Sequence, residues 1–411
     1  MNAKDEKQKQ KPRKDWRVVL RSLSVPALAI VTALILSALV IVFTDQTVYQ
    51  AFGEGGLGAA VQQAWKVITV AYGAFWVGAF GDPRAIWAAL RSGDSEAFMQ
   101  TLYPLTETLR ISTPYIFSGL AVALGFHCNL FNIGVEGQYF IAGLTTVFVG
   151  YSLTGLPAVI HLPLALLAGM VGGALWASVP GILKAKMGAH EVINAIMMNY
   201  ISYRLAEFML DVGGPMARPG YRPVSPDIQL SAYLPQLFPS IPTIRLNMGF
   251  PLALLTAWVV WWLLFRTTLG YEIRTVGENP RAAHYAGISV PKTIVLAMVI
   301  SGALAGLAAA TDILGVLHFM PNAFSAGYGF DAIALALLGN SHPLGVVLAS
   351  LLFGALRTGA TNMQGVARIP IDLTAILQGL IIVFIAAPAI VRSLYRLKEP
   401  QEKLVFTRDA G

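Results

Sequence analysis

The chain has 411 residues, of which 55% are hydrophobic and only 12% are charged. A soluble domain has about a quarter of its residues charged, so this composition excludes an ordinary water-soluble protein. The apolar residues also form long uncharged runs at 162–183, 248–265 and 373–391. Because about 20 apolar residues are enough for a helix to cross a bilayer, the sequence predicts an all-α, polytopic integral membrane protein.

The net charge of +7 would suit a nucleic-acid partner, but its location indicates a membrane flank instead. Eight Lys and Arg residues lie between Lys4 and Arg21, just before the apolar segment 25–43. Basic residues collect on the cytoplasmic side of membrane helices. The apolar segment is too long for the core of a signal peptide, and no small-residue cleavage site follows it. We therefore expect no nucleic-acid partner, and an uncleaved first span with a cytoplasmic N-terminus.

Ten segments are predicted to enter the membrane, and the eighth is short enough to be a half-helix. An even number returns the C-terminus to the cytoplasm, and most of the 29 Lys and Arg residues then lie in inner segments. This divides the chain into a basic tail, 1–24, a transmembrane domain, 25–395, and a cytoplasmic tail, 396–411. The predicted segments are residues 25–43, 107–125, 135–153, 158–183, 195–211, 248–266, 293–317, 329–339, 343–361 and 372–391.

Two predicted outer segments are unusually long. Residues 44–106 form an insertion whose aromatic stretch, 65–80, is expected to lie in the membrane interface or against the helix bundle. Residues 212–247 contain seven prolines, so this loop is expected to be ordered by stiffness rather than by helix formation. Such a loop suits either the docking of a soluble partner or a structural cap, and the sequence leaves both interpretations open.

One pattern occurs twice along the chain: a span, an acidic helix start and two further spans. The acidic start is Gly-Val-Glu-Gly at 134–137 in the first unit and Gly-Phe-Asp-Ala at 329–332 in the second. Five spans separate the two units, so the second enters the membrane from the opposite side. This arrangement is typical of inverted-topology repeats, whose interrupted helices line substrate paths.

The motifs of common enzyme classes are missing from the sequence. It contains no Gly-Lys dipeptide, which excludes a phosphate-binding P-loop. His190-Glu191 starts like a zinc-protease motif, but Asn194 stands where the second His is needed, and the other histidines are scattered. The single cysteine, Cys128, excludes an internal disulfide and a cysteine metal cage. We expect no enzymatic activity, no cofactor and no bound metal.

Polar side chains at membrane depth are costly and mark functional positions by default. Asn132 and Glu136 also suit a helix N-terminus, where acceptors meet free backbone N–H groups, and Asp331 has the same two interpretations. Asp312 and Arg357 are expected near the outer ends of their spans, where they could pair. The residues predicted to line a substrate path are Asn129, Asn132, Glu136, Gln138, Asn199 and Asp331.

Residues 277–288, in the predicted cytoplasmic loop 267–292, have the pattern of a short helix between two spans. Pro280 fits its first turn, Ala282 and Ala283 favour it, and Gly287 ends it. A short helix on the inner face is what a permease needs in order to receive motion from an external motor protein. The residues expected to make that contact are Gly277, Glu278, Asn279, Pro280, Arg281, Ala282, Ala283 and Gly287.

Four stretches make the sequence resemble the permeases of bacterial ABC importers of the ribose, branched-chain amino acid and nucleoside type. Within that group, the insertion before the second span and the motifs NIGVEGQ and NSHPLG are most similar to nucleoside permeases. The four stretches are GFHCNLFNIGVEGQ at 125–138, GAHEVINAIMMNY at 188–200, GENPRAAHYAGI at 277–288 and GYGFDAIALALLGNSHPLGVVLASLLFGALRTG at 327–359.

The resemblance implies a type II importer permease fold in the bacterial cytoplasmic membrane. It also implies three partners: a cytoplasmic ATPase that docks on 277–288, a second homologous permease or a second copy, and an extracytoplasmic solute-binding protein. The expected function is ATP-driven import of a small polar solute, a nucleoside by resemblance, with a monosaccharide or a branched-chain amino acid left open. A secondary transporter driven by an ion gradient would share the inverted repeats but would not need the coupling loop.

Overall fold

The computed structural model describes residues 16–220 and 222–396, which leaves most of the two predicted tails outside the described residues. The described residues form α-helices joined by loops, with no β-strand among them. The helices are α1 Trp16–Thr44, α2 Gln46–Phe80, α3 Pro83–Ser92, α4 Ser95–Thr101, α5 Tyr103–His127, α6 Val135–Ser152, α7 Ala158–Met187, α8 Glu191–Leu210, α9 Gly249–Arg266, α10 Thr268–Glu278, α11 Pro280–Tyr285, α12 Val290–Asp312, α13 Tyr328–Leu338, α14 Pro343–Ala367, α15 Ile371–Ala386 and α16 Pro388–Leu394.

Five helices of the described chain are long and apolar enough to cross a membrane, namely α5, α7, α9, α12 with the π-helical turn that follows it, and α14. A sixth is added if Leu28–Thr44 and Gln46–Phe80 together form one bent span. The all-helical membrane fold is thus confirmed, whereas the number of ten spans stays a prediction. The half-helix predicted at 329–339 is α13, which has 11 residues. The last predicted span is instead broken at Ala387, because Pro388 cannot continue the hydrogen-bond ladder of a helix.

The chain falls into two compact units, Thr69–Ile371 and a smaller one formed by the described parts of Met1–Ile68 and Asp372–Gly411. In the smaller unit, α1 contacts α16, and the Thr32 and Tyr395 hydroxyls lie 2.9 Å apart. The larger unit contains every residue predicted to line the path or to contact an ATPase, so the site is described there.

The part of the predicted insertion that lies in the larger unit, residues 69–106, is mostly helical, and residues 69–80 of its aromatic stretch pack against the bundle. Asn362 of α14 donates a hydrogen bond to the Ala74 carbonyl over 2.7 Å, and Thr108 of α5 donates to the Ala79 carbonyl over 2.8 Å. Of the two interpretations for this stretch, these contacts favour packing against the bundle over a position in the interface.

Helices α7 and α12 pack closely against each other through paired glycines, Gly173 against Gly302 and Gly169 against Gly306. A Cβ atom at Gly173, Gly302 or Gly306 would collide with the facing backbone, and one at Gly169 would collide with the Thr146 hydroxyl of α6. Small residues at this spacing allow membrane helices to approach closely without a hydrophobic driving force. The crossing fixes α12 at the centre of the unit, where it also contacts α5 and α6.

Candidate functional site

Two helices of the larger unit begin inside the helix bundle rather than at its end. After α5 the chain turns back, and Asn132 donates a hydrogen bond over 2.8 Å to Ser301, in the middle of α12. Residues 313–327 return in the same way before α13 begins at Tyr328. The two helix starts meet, because the Gly329 amide of α13 donates to the Glu136 carboxylate of α6 over 2.7 Å. This contact brings together the two acidic helix starts of the predicted repeat, whose inverted topology stays a prediction.

Glu136 is almost fully buried and joins α6 to α13 through a hydrogen bond. It lies in the first turn of α6, yet its carboxylate binds the first turn of α13. A carboxylate is stabilised there, because the N-terminus of a helix has free N–H groups and a partial positive charge. The expectation that Glu136 suits a helix N-terminus is therefore met on α13, the partner of its own helix.

Three other predicted path residues have their hydrogen bonds satisfied at the start of α6. The Asn132 and Gln138 amides exchange two hydrogen bonds of 3.1 and 3.2 Å, and Asn132 accepts from the Gly134 amide. Asn199 of α8 accepts from the Gly137 amide over 2.9 Å and donates to the Ile133 carbonyl. All three side chains are buried, so this geometry favours helix capping over lining a path.

Asp331 differs because its carboxylate is only half-buried. Its Oδ2 accepts a hydrogen bond of 2.8 Å from the Tyr115 hydroxyl, and no donor among the described residues reaches its Oδ1. The same hydroxyl accepts from Arg357 over 2.7 Å, and Arg357 also donates to the Ala326 carbonyl over 3.1 Å. A tyrosine therefore bridges a carboxylate and a guanidinium beside the start of α13.

The predicted pairing of Asp312 with Arg357 is wrong. Asp312 accepts a 2.8 Å hydrogen bond from Tyr139, while Arg357 is held by Tyr115, and no ion pair joins the two among the described residues. The physical reason is that phenol groups of α5 and α6 lie nearer to each charge than the opposite charge does. The Tyr115 and Tyr139 rings also pack on Tyr328, with centroids 4.8 and 5.8 Å away.

Sequence reasoning missed Tyr115 and Tyr139 because both lie in apolar runs. One signal was available, since a phenol at membrane depth needs a hydrogen-bond partner and so indicates a nearby polar group.

Asn129 lies apart from the other path candidates. It is exposed, has a φ of 54°, and borders a cavity of about 660 Å³ together with Arg274, Gly277 and Glu278. We call this end of the bundle, formed by α10 and α11, the coupling end. Asn129 therefore adjoins the predicted coupling segment rather than the meeting point of α6 and α13.

The predicted helix in 277–288 is present as α11. The Asn279 side chain accepts from the amides of Arg281 and Ala282, Pro280 occupies the first position, and Gly287 follows the helix with a φ of 82°. Gly277 packs so tightly on the His127 carbonyl that a Cβ atom would collide with it. Ala283 faces inward, whereas Glu278, Arg281 and Ala282 are exposed. The segment thus presents a short, firmly attached helix at the surface.

The family follows from comparison with known proteins. The model described as "Branched-chain amino acid transport system / permease component" matches residues 105–386. The chain belongs to this permease family. The match covers α5 to α15, which include both helix starts and the coupling segment.

Curated relatives of this permease extend over most of its length. The guanosine ABC transporter permease protein NupP of Bacillus subtilis is 41% identical over 325 residues, which cover 78% of this chain and 86% of NupP. The nucleoside ABC transporter permease protein NupB of Lactococcus lactis is 33% identical, covering 74% of this chain and 84% of NupB. The glucose ABC transporter permease protein TsgB13 of Haloferax volcanii is 35% identical, covering 70% and 78%. No solved structure gives a significant match to the chain.

These findings confirm that the chain is a multi-pass membrane permease of the ABC transporter class and not an enzyme. A permease of this class works with an ATPase and a binding protein, as the resemblance implied.

Proposed function

We propose that this permease imports a nucleoside across the bacterial cytoplasmic membrane, with both termini and α11 on the cytoplasmic side. The relatives NupP and NupB, named for guanosine and nucleosides, support the choice of substrate. The observation that carries the mechanism is the meeting of two helix starts inside the helix bundle, with a half-buried carboxylate beside one of them.

The substrate path is proposed to run along the exposed face of α13. Asp331 lies on this helix with one carboxylate oxygen free of donors, and the neighbouring Phe330 ring is 46% exposed. A charged side chain that faced acyl chains would be heavily penalised, so this face of α13 borders water or another subunit. We place the second permease subunit, either a homologue or a second copy, across this face.

The chemistry of that face suits a nucleoside. A free carboxylate oxygen accepts hydrogen bonds from a ribose hydroxyl or from the N–H groups of a base. An exposed aromatic ring offers a stacking surface for the base, which is worth about 1–3 kcal/mol where single-stranded nucleic acids bind proteins. Asn132 and Gln138 bind each other, and Asn199 binds the backbone at Ile133 and Gly137, so these three side chains shape the path from behind rather than contact the solute.

A monosaccharide is the second candidate substrate. The relative TsgB13 is named for glucose, and a carboxylate binds a sugar diol as readily as a ribose. The exposed Phe330 ring favours the nucleoside, because a pyranose offers no flat aromatic face.

Alternating access would be driven through α11. The ATPase is proposed to bind the exposed residues of α11 and its flanks, and closure of its two nucleotide-binding domains would move α10 and then α5, on which Gly277 packs. ATP can bias the two states only as far as the contacts of α11 differ between them. A binding protein would deliver the solute at the opposite end of the bundle.

Uptake by the reconstituted complex tests the proposal. The permease is purified in complex with its ATPase and its second permease subunit and placed in liposomes loaded with ATP, and the binding protein is added outside. Labelled guanosine is expected to enter and to be displaced by other nucleosides but not by glucose or leucine. Displacement by glucose alone would move the assignment to a sugar, and uptake driven by an ion gradient without ATP would overturn it.

A further inference from the structure

The Pro-rich loop, residues 212–247, is hydrogen-bonded to the segment that leads into α13. The Ser225 amide donates to the Met320 carbonyl over 3.0 Å, and the Met320 amide donates to the Ser225 hydroxyl over 2.8 Å. On either side, the Ile228 amide donates to the His318 carbonyl and the Asn322 amide to the Pro223 carbonyl. The two stretches therefore form one ladder-like contact with Ser225, which is fully buried, at its centre.

Ring packing extends this contact. The Tyr233 ring lies parallel to the His318 imidazole with centroids 3.8 Å apart, and the Leu234 amide donates to the Leu314 carbonyl over 2.8 Å. Leu314 and Met320 are fully buried beneath the loop. The loop is thus stiffened by its prolines and attached along most of the segment 314–322.

The same segment reaches the start of α13 within a few residues. Phe324 stacks on Tyr139 at 4.7 Å, and Gly327 turns the chain into α13, where the Gly329 amide binds Glu136. Only five residues separate Asn322 from Tyr328, so the connection has little slack to absorb a displacement of the loop. A shift of the Pro-rich loop would therefore be passed to the helix start that borders the proposed path.

We propose that the Pro-rich loop is the surface on which a soluble binding protein acts, and that Ser225 is the positioning residue that transmits docking to α13. The inference rests on the proposed function, because it requires a binding protein at this end of the bundle. The loop presents exposed charged groups to such a partner, among them Arg222 and the Arg218–Asp227 ion pair. The Pro-rich loop would then serve both as a structural cap over the bundle and as the docking surface for the binding protein.

The test distinguishes the docking of the binding protein on the loop from the transmission of that docking to α13. In nanodiscs holding the whole complex, Ser225→Ala is expected to lower the ATP turnover stimulated by the loaded binding protein at least about fivefold, the lower end of typical coupling between sites. Basal ATP turnover and the affinity of the binding protein should stay unchanged. Ser231→Ala is the matched control, because Ser231 lies in the same loop but binds His161 of α7, at 2.7 Å, instead of the segment 314–322.

Ser225→Ala could lower ATP turnover simply because the variant is less stable. A disulfide that replaces the lost contact between Ser225 and Met320 distinguishes this case from a loss of transmission. Val224 and Pro321 form an antiparallel bridge, and the one native cysteine, Cys128, is buried. A disulfide between Val224→Cys and Pro321→Cys, added to Ser225→Ala, should restore the stimulation, and reduction should remove it again. Equal stimulation of Ser225→Ala and Ser231→Ala, or no rescue by the disulfide, would overturn the inference. A wild-type complex that ignores the binding protein would overturn the proposed function itself.

Discussion

The starts of α6 and α13 are built from similar sequence, Gly-Val-Glu-Gly and Gly-Phe-Asp-Ala, but they are held in different ways. At the start of α6, Asn132 and Gln138 bind each other, Asn132 also donates to Ser301 of α12, and Asn199 of α8 binds the Gly137 amide. All three amide side chains are therefore buried and hydrogen-bonded. The start of α13 depends on side chains of other helices, namely Glu136 of α6 and, through Tyr115 of α5, Arg357 of α14.

This difference indicates which half of the repeat can move. The three amide side chains at the start of α6 are buried and hydrogen-bonded, so a displacement of this start would leave buried polar groups without partners. At the start of α13, the Asp331 carboxylate is half-buried and no donor among the described residues reaches its Oδ1, so this start can change its contacts at a lower cost and occupy two states that a partner can bias. We therefore assign the fixed role to α6 and the moving role to α13.

The largest effect is expected at the coupling end, from which the movement of the α13 start would be driven. Ala282→Trp places a large ring on the exposed side of α11, where it should block ATPase docking without disturbing the bundle. Transport-coupled ATP turnover and uptake should be lost, while the amount of permease in the membrane stays the same. Met187→Trp, also exposed and at the end of α7 next to this surface in the predicted topology, is the control. Normal stimulated turnover in Ala282→Trp would refute the assignment of α11.

The next prediction compares the two helix starts directly. Glu136→Ala leaves the buried Gly329 amide without an acceptor, which costs about 1–3 kcal/mol in the state where they meet. Because this start is assigned the moving role, uptake per folded molecule should fall about tenfold or more, and Glu136→Gln, which can still accept, should fall less.

Asn132→Ala is the matching substitution at the start of α6. Loss of the Asn132 amide should lower thermal stability and the amount of permease in the membrane. Uptake per folded molecule should stay within about twofold of the wild type, because Asn132 is assigned a purely structural role. Uptake and thermal unfolding are measured on the same detergent-purified and reconstituted samples. Equal patterns for Glu136→Ala and Asn132→Ala would remove the distinction between the two helices.

A smaller effect is expected at the free carboxylate oxygen. Asp331→Asn keeps an acceptor for the Tyr115 hydroxyl but removes the charge and one acceptor from the exposed face of α13. The KM for guanosine uptake should rise about tenfold with little change in maximal rate, the pattern of lost substrate binding. Glu207→Gln, an exposed carboxylate on α8 that pairs with Arg204, should leave the KM unchanged. An unchanged KM in Asp331→Asn would move the path away from this face.

Much of this architecture could be predicted from the sequence, because apolar runs and helix breakers act locally. The half-helix α13, the short helix α11 and its Asn279, Pro280 and Gly287 boundaries all follow from residues that lie within a few positions of each other. The similarity between residues 134–137 and 329–332 also led to the prediction of an inverted repeat, and in the structure these two helix starts meet at Glu136 and Gly329.

The site itself could be predicted only in part, because its contacts join residues far apart in sequence. Nothing local to Glu136 shows that its carboxylate reaches across to α13, and nothing local to Arg357 shows that Tyr115 lies closer than Asp312. Asn129 was grouped with the path by sequence proximity, yet one turn of chain places it at the coupling end. The remaining candidates differ in burial: Asn132, Gln138 and Asn199 are buried, whereas Asp331 is half-buried. Burial depends on how the helices pack, so it could not be predicted from the local sequence.

The smallest expected effect is at the phenol that bridges the two charges. Tyr115→Phe keeps the ring packing on Tyr328 and Phe353 and removes only the hydroxyl between Asp331 and Arg357. A hydrogen bond to a charged group contributes about 1.5–3 kcal/mol, so thermal stability should fall while the folded complex persists. Because the hydroxyl also holds α13 in the state described here, uptake should change by less than about fivefold, in either direction. Val122→Ala, a truncation on the same helix away from the charged groups, should lower stability comparably without changing the KM. If Tyr115→Phe abolishes uptake while Asp331→Asn does not, then the bridge rather than the carboxylate would be the essential part of the moving helix start.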